Sequence, residues 1–350
     1  METVKFSDFQ IVPISNSIRR VEMDDETYFS STYSGYVSNS RLGLINPEQD
    51  GSAKKYYAPP KFETQSLKIG SAVHECLLQP EEFTLAPKLG RPSAKLGDVI
   101  DEIIKNRAKG MSIYTSIIEA SKKVNYYTSS IDKKISNIIE KGLEYYLNAT
   151  SRSVTKGKEE IVLSDKDHDI VSACLNSCYN NLQLMKKLKP MDLFGDVIES
   201  HNEDAMFIDY LVTYKDKHVK LKFKLKLDNW TIDVENKTIT LNDLKTTSHG
   251  AEWFMYYPTG SIYKYHYHRQ FACYGSILWQ YCVKHYGACE AQGWKMDCNV
   301  LVVQTTAPYT SKCYSIPKNL LTKGKIEFEQ LMKRVAYHQM YGFKDEVNFE

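Results

Sequence analysis

The stretch TLNDLKTTSHG, residues 240–250, closes an alternating apolar run with two full charges. Successive side chains of a strand point to opposite faces, so Asp243 and Lys245 continue the phase of Ile239 and Leu241. Two core-directed positions are thus followed by an acid and an amine on the same face. An unpaired buried charge is costly, so the pair calls for a partner. Upstream, LKFKLKLD (221–228) sets Leu221, Phe223, Leu225 and Leu227 on one face and Lys222, Lys224, Lys226 and Asp228 on the other. Fourteen residues separate Asp228 from Asp243, a hairpin-length gap that lets neighbouring strands bring both carboxylates towards one point.

Working outward, VIESHN, MFIDYLVTYKD, HVKLKFKLKLDNWTIDV and KTITLNDLKT read as a meander, with ENK (235–237) as a tight turn. A long helix is expected at about 261–284, then strands at NVLVVQT and KCYSI, and a last helix at about 319–340. Before Pro190, residues 164–189 read as one helix capped by Ser164. SLKIGSAVHECLL reads as another, with Ser66 as its cap and Ile69, Ala72, Val73, Cys76 and Leu77 at helical spacing. Residues 97–150 give two or three amphipathic helices, so a helical insertion is expected at about 86–157. Residues 1–60 are polar and turn-rich and are expected to form a separate N-terminal segment before a domain spanning 61–350. The fold class is α/β, a mixed central sheet flanked by helices.

The bulk numbers exclude several classes. With 350 residues and 42% hydrophobic content the chain can build a substantial core. A net charge of +2 gives no global attraction to nucleic acid, so any basic surface must be local. No apolar run reaches the roughly 18 residues of a membrane span, and the start, METVKFSDFQIVPIS, lacks the basic and apolar regions of a secretory signal. The eight cysteines are scattered, which fits reduced thiols in an intracellular protein. Cys282, Cys289, Cys298 and Cys313 are too unevenly spaced for an iron–sulfur run.

Hard divalent cations take oxygen ligands, and the strand region offers Glu199, Glu203, Asp209, Asp228 and Asp243. A metal would neutralise the carboxylates while they neutralise Lys245, although an Asp–Lys pair at a strand end also occurs as a plain ion pair. Gly70 and His74 stand four apart on one helix face, as do Gln270 and Tyr274 in YHYHRQFACYG. Each alone reads equally as core packing.

In this order G-x-x-x-H, a glutamate, a strand-end aspartate, D-x-K and Q-x-x-x-Y resemble the PD-(D/E)xK nucleases of the RecB and lambda-exonuclease type. The finer text, KIGSAVHECLLQPEEF, KLKLD, NDLKTT, YHYHRQFACYG and VVQTTAPY, is closest to the phage and prophage exonuclease VIII (RecE-like) proteins, over roughly 35–85 and 158–340. The resemblance implies a restriction-endonuclease-like sheet and a Mg²⁺-dependent DNA exonuclease, with Mn²⁺ as substitute. It implies that Asp228 and Asp243 are metal ligands, with Glu199 as a further acidic ligand, Glu203 being the other candidate. Lys245 would be the catalytic lysine, His74 a metal-site or phosphate-facing residue, and Gln270 and Tyr274 would position the DNA backbone and the lysine. Phosphate contacts would come from Lys222, Lys224, Lys226, Lys264 and Arg269, each of which also reads as a solvated surface cation. The implied substrate is double-stranded DNA ends processed 5′ to 3′, in the bacterial cytoplasm and in a phage recombination setting. The implied partners are further copies of the chain and a single-strand annealing protein. A structure-selective endonuclease, or a catalytically silent DNA-binding or virion protein, are the alternatives.

Overall fold

Long alternating segments make the strands, and the helices follow where the apolar period changes. The computed structural model describes residues 2–59, 65–127, 130–151, 158–191, 195–196, 198–343 and 347–350. Among them the strands are, in chain order, β1 (Glu2–Val4), β2 (Phe9–Val21), β3 (Phe83–Leu85), β4 (Glu159–Ile161), β5 (Glu199–Tyr214), β6 (Lys217–Asp233), β7 (Thr238–Thr247), β8 (Lys295–Gln304), β9 (Ser311–Ser315) and β10 (Val347–Phe349). The chain divides into two units: Met1–Phe62 with Cys178–Gln304 and Thr310–Glu350, and Glu63–Ser177 with Thr305–Tyr309.

The first unit holds a six-stranded sheet in the order β2-β5-β6-β7-β8-β9. Neighbours are antiparallel except β7 and β8, which are parallel. A parallel pair needs a crossover, and the helix Tyr267–Tyr286 lies in the connection between β7 and β8. It packs with the helix Lys318–Tyr341 over the sheet, in a core that joins Leu221, Phe223 and Leu225 to Phe271, Ile277, Phe328 and Leu331. Phe223 and Phe328 meet edge to face at 5.4 Å, a geometry worth about 0.5–1.5 kcal/mol beyond area burial.

Several sequence expectations change. Residues 1–60 are not a separate segment, because β2 is an edge strand of the central sheet and Val37 bridges to Phe223 of β6. The helix expected at 261–284 is two, Ser261–Lys264 and Tyr267–Tyr286, broken where His266 adopts φ +54. The helix expected at 164–189 is also two, Asp165–Tyr179 and Leu182–Leu188, the second capped by Asn181 through its side-chain oxygen.

The second unit contains the helix Gln65–Leu78, the parallel pair β3–β4, and three helices, Ala94–Ala108, Ile113–Lys123 and Ile131–Ser151. The three pack through Val99, Ile103, Ile117 and Ala120. This unit runs from 63 to 177 and so is wider than the insertion expected at 86–157. Ser66 lies within the helix Gln65–Leu78 and not before it.

Candidate active site at a forked strand pair

The site is built by register. β6 and β7 pair from Asp233/Thr238 to Asn229/Asn242. Beyond that point β7 stays with β8 as far as Thr247/Gln304. β6 instead takes Val37, through Val37 N–H to the Lys222 carbonyl at 2.8 Å and Lys224 N–H to the Val37 carbonyl at 2.9 Å. The two strands therefore fork one step past Asn229/Asn242, at Asp228 and Asp243. Asp228 Oδ2 accepts the Leu244 N–H at 2.8 Å, in place of a ladder bond. Alternation also breaks here: Leu227 and Trp230, three apart, both belong to the core under the helices. Asp228 is thus a fork residue, and not a fourth member of a lysine face.

The β5–β6 hairpin turns at Lys215–Asp216, with Tyr214 opposite Lys217. Counting back along that register sets Glu203 against Asp228, between the pairs Asn202/Asn229 and Asp204/Leu227. Glu203 sits at φ +55, unusual for a non-glycine residue within a strand. Its carboxylate oxygen lies within 4.8 Å of one from Asp228. Burial, and then the charge of Asp228, push the Glu203 carboxyl up to about 7. Burial likewise raises Asp228, against the lowering effects of Lys245 and the Leu244 N–H. Lys226 offsets part of this charge, pairing with Glu203 at 2.5 Å and with Asp25.

Asp243 is 2% exposed. Its carboxylate pairs with Lys245 through Oδ2 and accepts Gln270 Nε2 at 2.6 Å on Oδ1. Burial alone would lower Lys245, but Asp243 and Asp228 outweigh it and raise its pKa, so the amine stays protonated at neutral pH. The Tyr267 ring lies 5.2 Å from Lys245 Nζ. Tyr274 is partly buried on the same helix, and after burial and its neighbours Tyr28 and Cys273, the charges of Asp243 and Asp228 contribute to its raised pKa. Glu203 and Asp228, buried and close together, and Asp243 on the next strand offer the oxygen donors that a hard divalent cation takes.

Behind the acidic row runs a feature that the D-x-K reading missed. Asn229 donates to Asn202 at 2.8 Å, Asn242 to Asn229 at 2.7 Å, Asn299 to Asn242 at 3.0 Å, and Ser315 to Asn299 at 3.1 Å. This side-chain ladder crosses five strands, and Asn229, Asn242 and Asn299 are fully buried. A slip of one residue would break every rung, so the ladder pins the register that aligns Glu203, Asp228 and Asp243. Its signal in the sequence is the mirrored pair Asp228-Asn229 and Asn242-Asp243 on consecutive antiparallel strands. Asn242→Ala also strands the Lys187 carbonyl, which Asn242 caps at 3.0 Å. At about 1–3 kcal/mol for each buried group left unsatisfied, the variant should lose roughly 3 kcal/mol or more, read as a lower urea midpoint at unchanged m.

Several other residues expected at the site lie elsewhere within the sheet unit. Glu199 stands opposite Ile232, four positions from Glu203 and so about 13 Å along the strand. It is exposed and bonded to His201 at 2.7 Å and Tyr286 at 2.8 Å, whereas Glu203 is the acid on the register row of Asp228. Lys224 is buried, donating to the Tyr28 carbonyl at 2.7 Å and lying 4.3 Å from the Tyr28 ring. Arg269 is buried too, held by Asn39, Gln49 and Glu327. Neither cation is presented to a phosphate. Lys226 is committed to Glu203 and Asp25, whereas Lys222 and Lys264 are exposed. His74 is half-buried on the helix Gln65–Leu78 of the second unit. None of the eight cysteines is in a disulfide, and Cys282 and Cys298 are core residues.

Residues 47–342 match the family described as "PDDEXK-like domain of unknown function (DUF3799)". No curated protein matches the chain in sequence. Among solved structures, the chain is similar to a protein from Eubacterium rectale named "Putative exonuclease", at 12% identity and a TM-score of 0.44, covering 90% of this chain and 85% of that one. A weaker likeness is to protein VC1899 from Vibrio cholerae, at 11% identity and a TM-score of 0.17, covering 81% of this chain and 58% of that one. The match over residues 47–342 shows that the chain belongs to this PDDEXK-like family and so to the PD-(D/E)xK nuclease superfamily.

Proposed function

We propose that this protein is a metal-dependent deoxyribonuclease that hydrolyses phosphodiester bonds at the fork between β6 and β7. The observation that carries this reading is the alignment of Glu203, Asp228 and Asp243 on three adjacent strands with a protonated Lys245 beside them. Bound Mg²⁺, or Mn²⁺ in its place, neutralises phosphate charge and lowers the pKa of the attacking water. Asp228 and Asp243 hold the cation, with Glu203 as third ligand. Lys245 acts as a fixed positive charge towards the phosphate and stabilises the charge that builds there. A general-base role does not suit an amine whose pKa is raised by two carboxylates. Gln270 holds Asp243 in the rotamer that serves Lys245, so its role is in positioning the acid and not the DNA. Lys222 and Lys264 are the exposed cations proposed to meet the DNA backbone. The assignment of His74 comes from the resemblance.

By that resemblance the substrate is the end of double-stranded DNA, degraded 5′ to 3′ in a bacterial cytoplasm during phage recombination. The proposed assembly is a homo-oligomer working beside a single-strand annealing protein. No described helix is long and apolar enough to cross a membrane. With Mg²⁺ present, end-labelled linear duplex should be degraded while covalently closed circles stay intact. Nicking of the circles would favour the endonuclease reading, and inertness towards both substrates would favour a silent DNA-binding protein.

A further inference from the structure

A second cluster of metal-ligating side chains lies in the sheet unit, in none of the roles assigned above. The ligand atoms of His266, His268 and Glu327 all lie within 4.8 Å of one another. His266 Nδ1 is 2.8 Å from Glu327 Oε1, and His268 Nε2 is 3.0 Å from Glu327 Oε2. The two histidines are 7% and 1% exposed. Both ring nitrogens are buried, with the Glu327 carboxylate beside them. Metal–nitrogen and metal–oxygen bonds of about 2.0–2.1 Å put neighbouring ligand atoms roughly 3 Å apart, close to the two histidine–carboxylate separations seen here.

The far sides of the rings strengthen the case. His268 Nδ1 lies 3.2 Å from the Ile262 carbonyl, which can only accept, so that nitrogen carries a proton. A neutral ring then aims a lone pair from Nε2 at an anionic oxygen, and a proton or a cation must lie between them. His266 Nε2 lies 3.9 Å from a Glu48 carboxylate oxygen. An imidazole that ligates through one nitrogen and gives the other to a carbonyl or carboxylate is the usual arrangement around a metal; His268 has it, whereas the Glu48 oxygen is beyond hydrogen-bond reach of His266. Arg269 and Asn46 donate to Glu327 Oε1 at 2.7 and 2.9 Å, fixing the carboxylate and leaving Oε2 towards His268.

The backbone is shaped to this end. A Cβ on Gly324 would stand 2.1 Å from the His268 carbonyl oxygen and 2.9 Å from Arg269 Cα. Glycine at 324 thus permits the close helix crossing that delivers Glu327, three residues on. His266 adopts the left-handed conformation where the helix Tyr267–Tyr286 begins. Tyr267, between the two histidines, lies over Lys245, and Gln270 from the same first turn holds Asp243.

We propose that His266, His268 and Glu327 bind one transition-metal cation of the Zn²⁺ class, which fixes the start of this helix. Imidazole nitrogen with one carboxylate suits zinc and its neighbours and not Mg²⁺. The proposal does not depend on the nuclease reading, since the two sites share no ligand.

The test uses untagged full-length protein stripped with chelator and titrated with Co²⁺. One equivalent should give the intense visible absorption of a low-coordinate, nitrogen-bound ion, displaced by Zn²⁺ and unaffected by excess Mg²⁺. Zn²⁺ should also raise the melting temperature of the stripped protein by several degrees. Asp243→Asn should retain the band, whereas His268→Gln and Glu327→Gln, each checked for fold by circular dichroism, should lose it. Persistence of the band in a folded His268→Gln protein overturns the proposal. Absence of both the band and the Zn²⁺ stabilisation in the wild-type chain overturns it whatever the variants do.

Discussion

Lys245→Met should lower Mg²⁺-dependent DNA hydrolysis by about 10²–10³-fold, the loss typical when one preorganised charge-stabilising group is removed. Substrate binding should change far less, because a single phosphate-facing charge contributes little to total affinity for a long duplex. The substitution also leaves Asp243 buried without its cation. Breaking a buried pair from one side costs about 3–5 kcal/mol. Gln270 still holds one oxygen of Asp243, so the loss belongs at the lower end. Lys222→Ala is the matched comparison: the side chain is exposed, so stability should hold and activity should fall only a few-fold. Single-turnover rates and urea melts of both variants check the contrast. Equal effects would place Lys245 among ordinary surface cations.

Glu203→Gln should abolish most metal-dependent activity, while Glu199→Gln should leave it within a few-fold of wild type. Glu203 is on the register row of Asp228, and Glu199 is four residues along the strand with His201 and Tyr286 for partners. A pH signature accompanies the difference. The folded-state pKa of Glu203 is raised, to about 7, so the folded protein binds this proton more tightly than the unfolded chain does. The stability gained from it is present below the unfolded carboxylate value and lost as pH rises through about 7. Metal-free wild type should therefore lose melting temperature between pH 5 and about 8, and Mg²⁺ should restore it at the alkaline end. Glu203→Gln should flatten that dependence, and Glu199→Gln should not. Melting curves across this range, with and without Mg²⁺, measure both.

Much of this arrangement was legible in the sequence because it is local. Alternation and turn chemistry located β5, β6 and β7, and the D-x-K run set Asp243 and Lys245 on one face. Glu203 was legible too, by counting back from the Lys215–Asp216 turn instead of by proximity to a motif. What was hidden depends on residues far apart in the chain. The fork at Asp228 exists because Val37 replaces β7 as the neighbour of β6. Lys224 and Arg269 look like phosphate contacts until Tyr28, Asn39, Gln49 and Glu327 close over them. β2 was obscured by mixed polarity and by Pro13, which an edge strand tolerates. The helix break at His266 follows no propensity rule, since an αL histidine needs its surroundings to hold it there.

The account depends on a divalent ion seated between β5, β6 and β7. Crystals soaked with Mn²⁺ and measured at an anomalous wavelength test this directly. The prediction is a peak in coordination distance, roughly 2.1 Å, of carboxylate oxygens from Asp228 and Asp243, with Glu203 reaching it directly or through water. Full Mn²⁺ occupancy elsewhere in the protein, with no density at the fork, would contradict it.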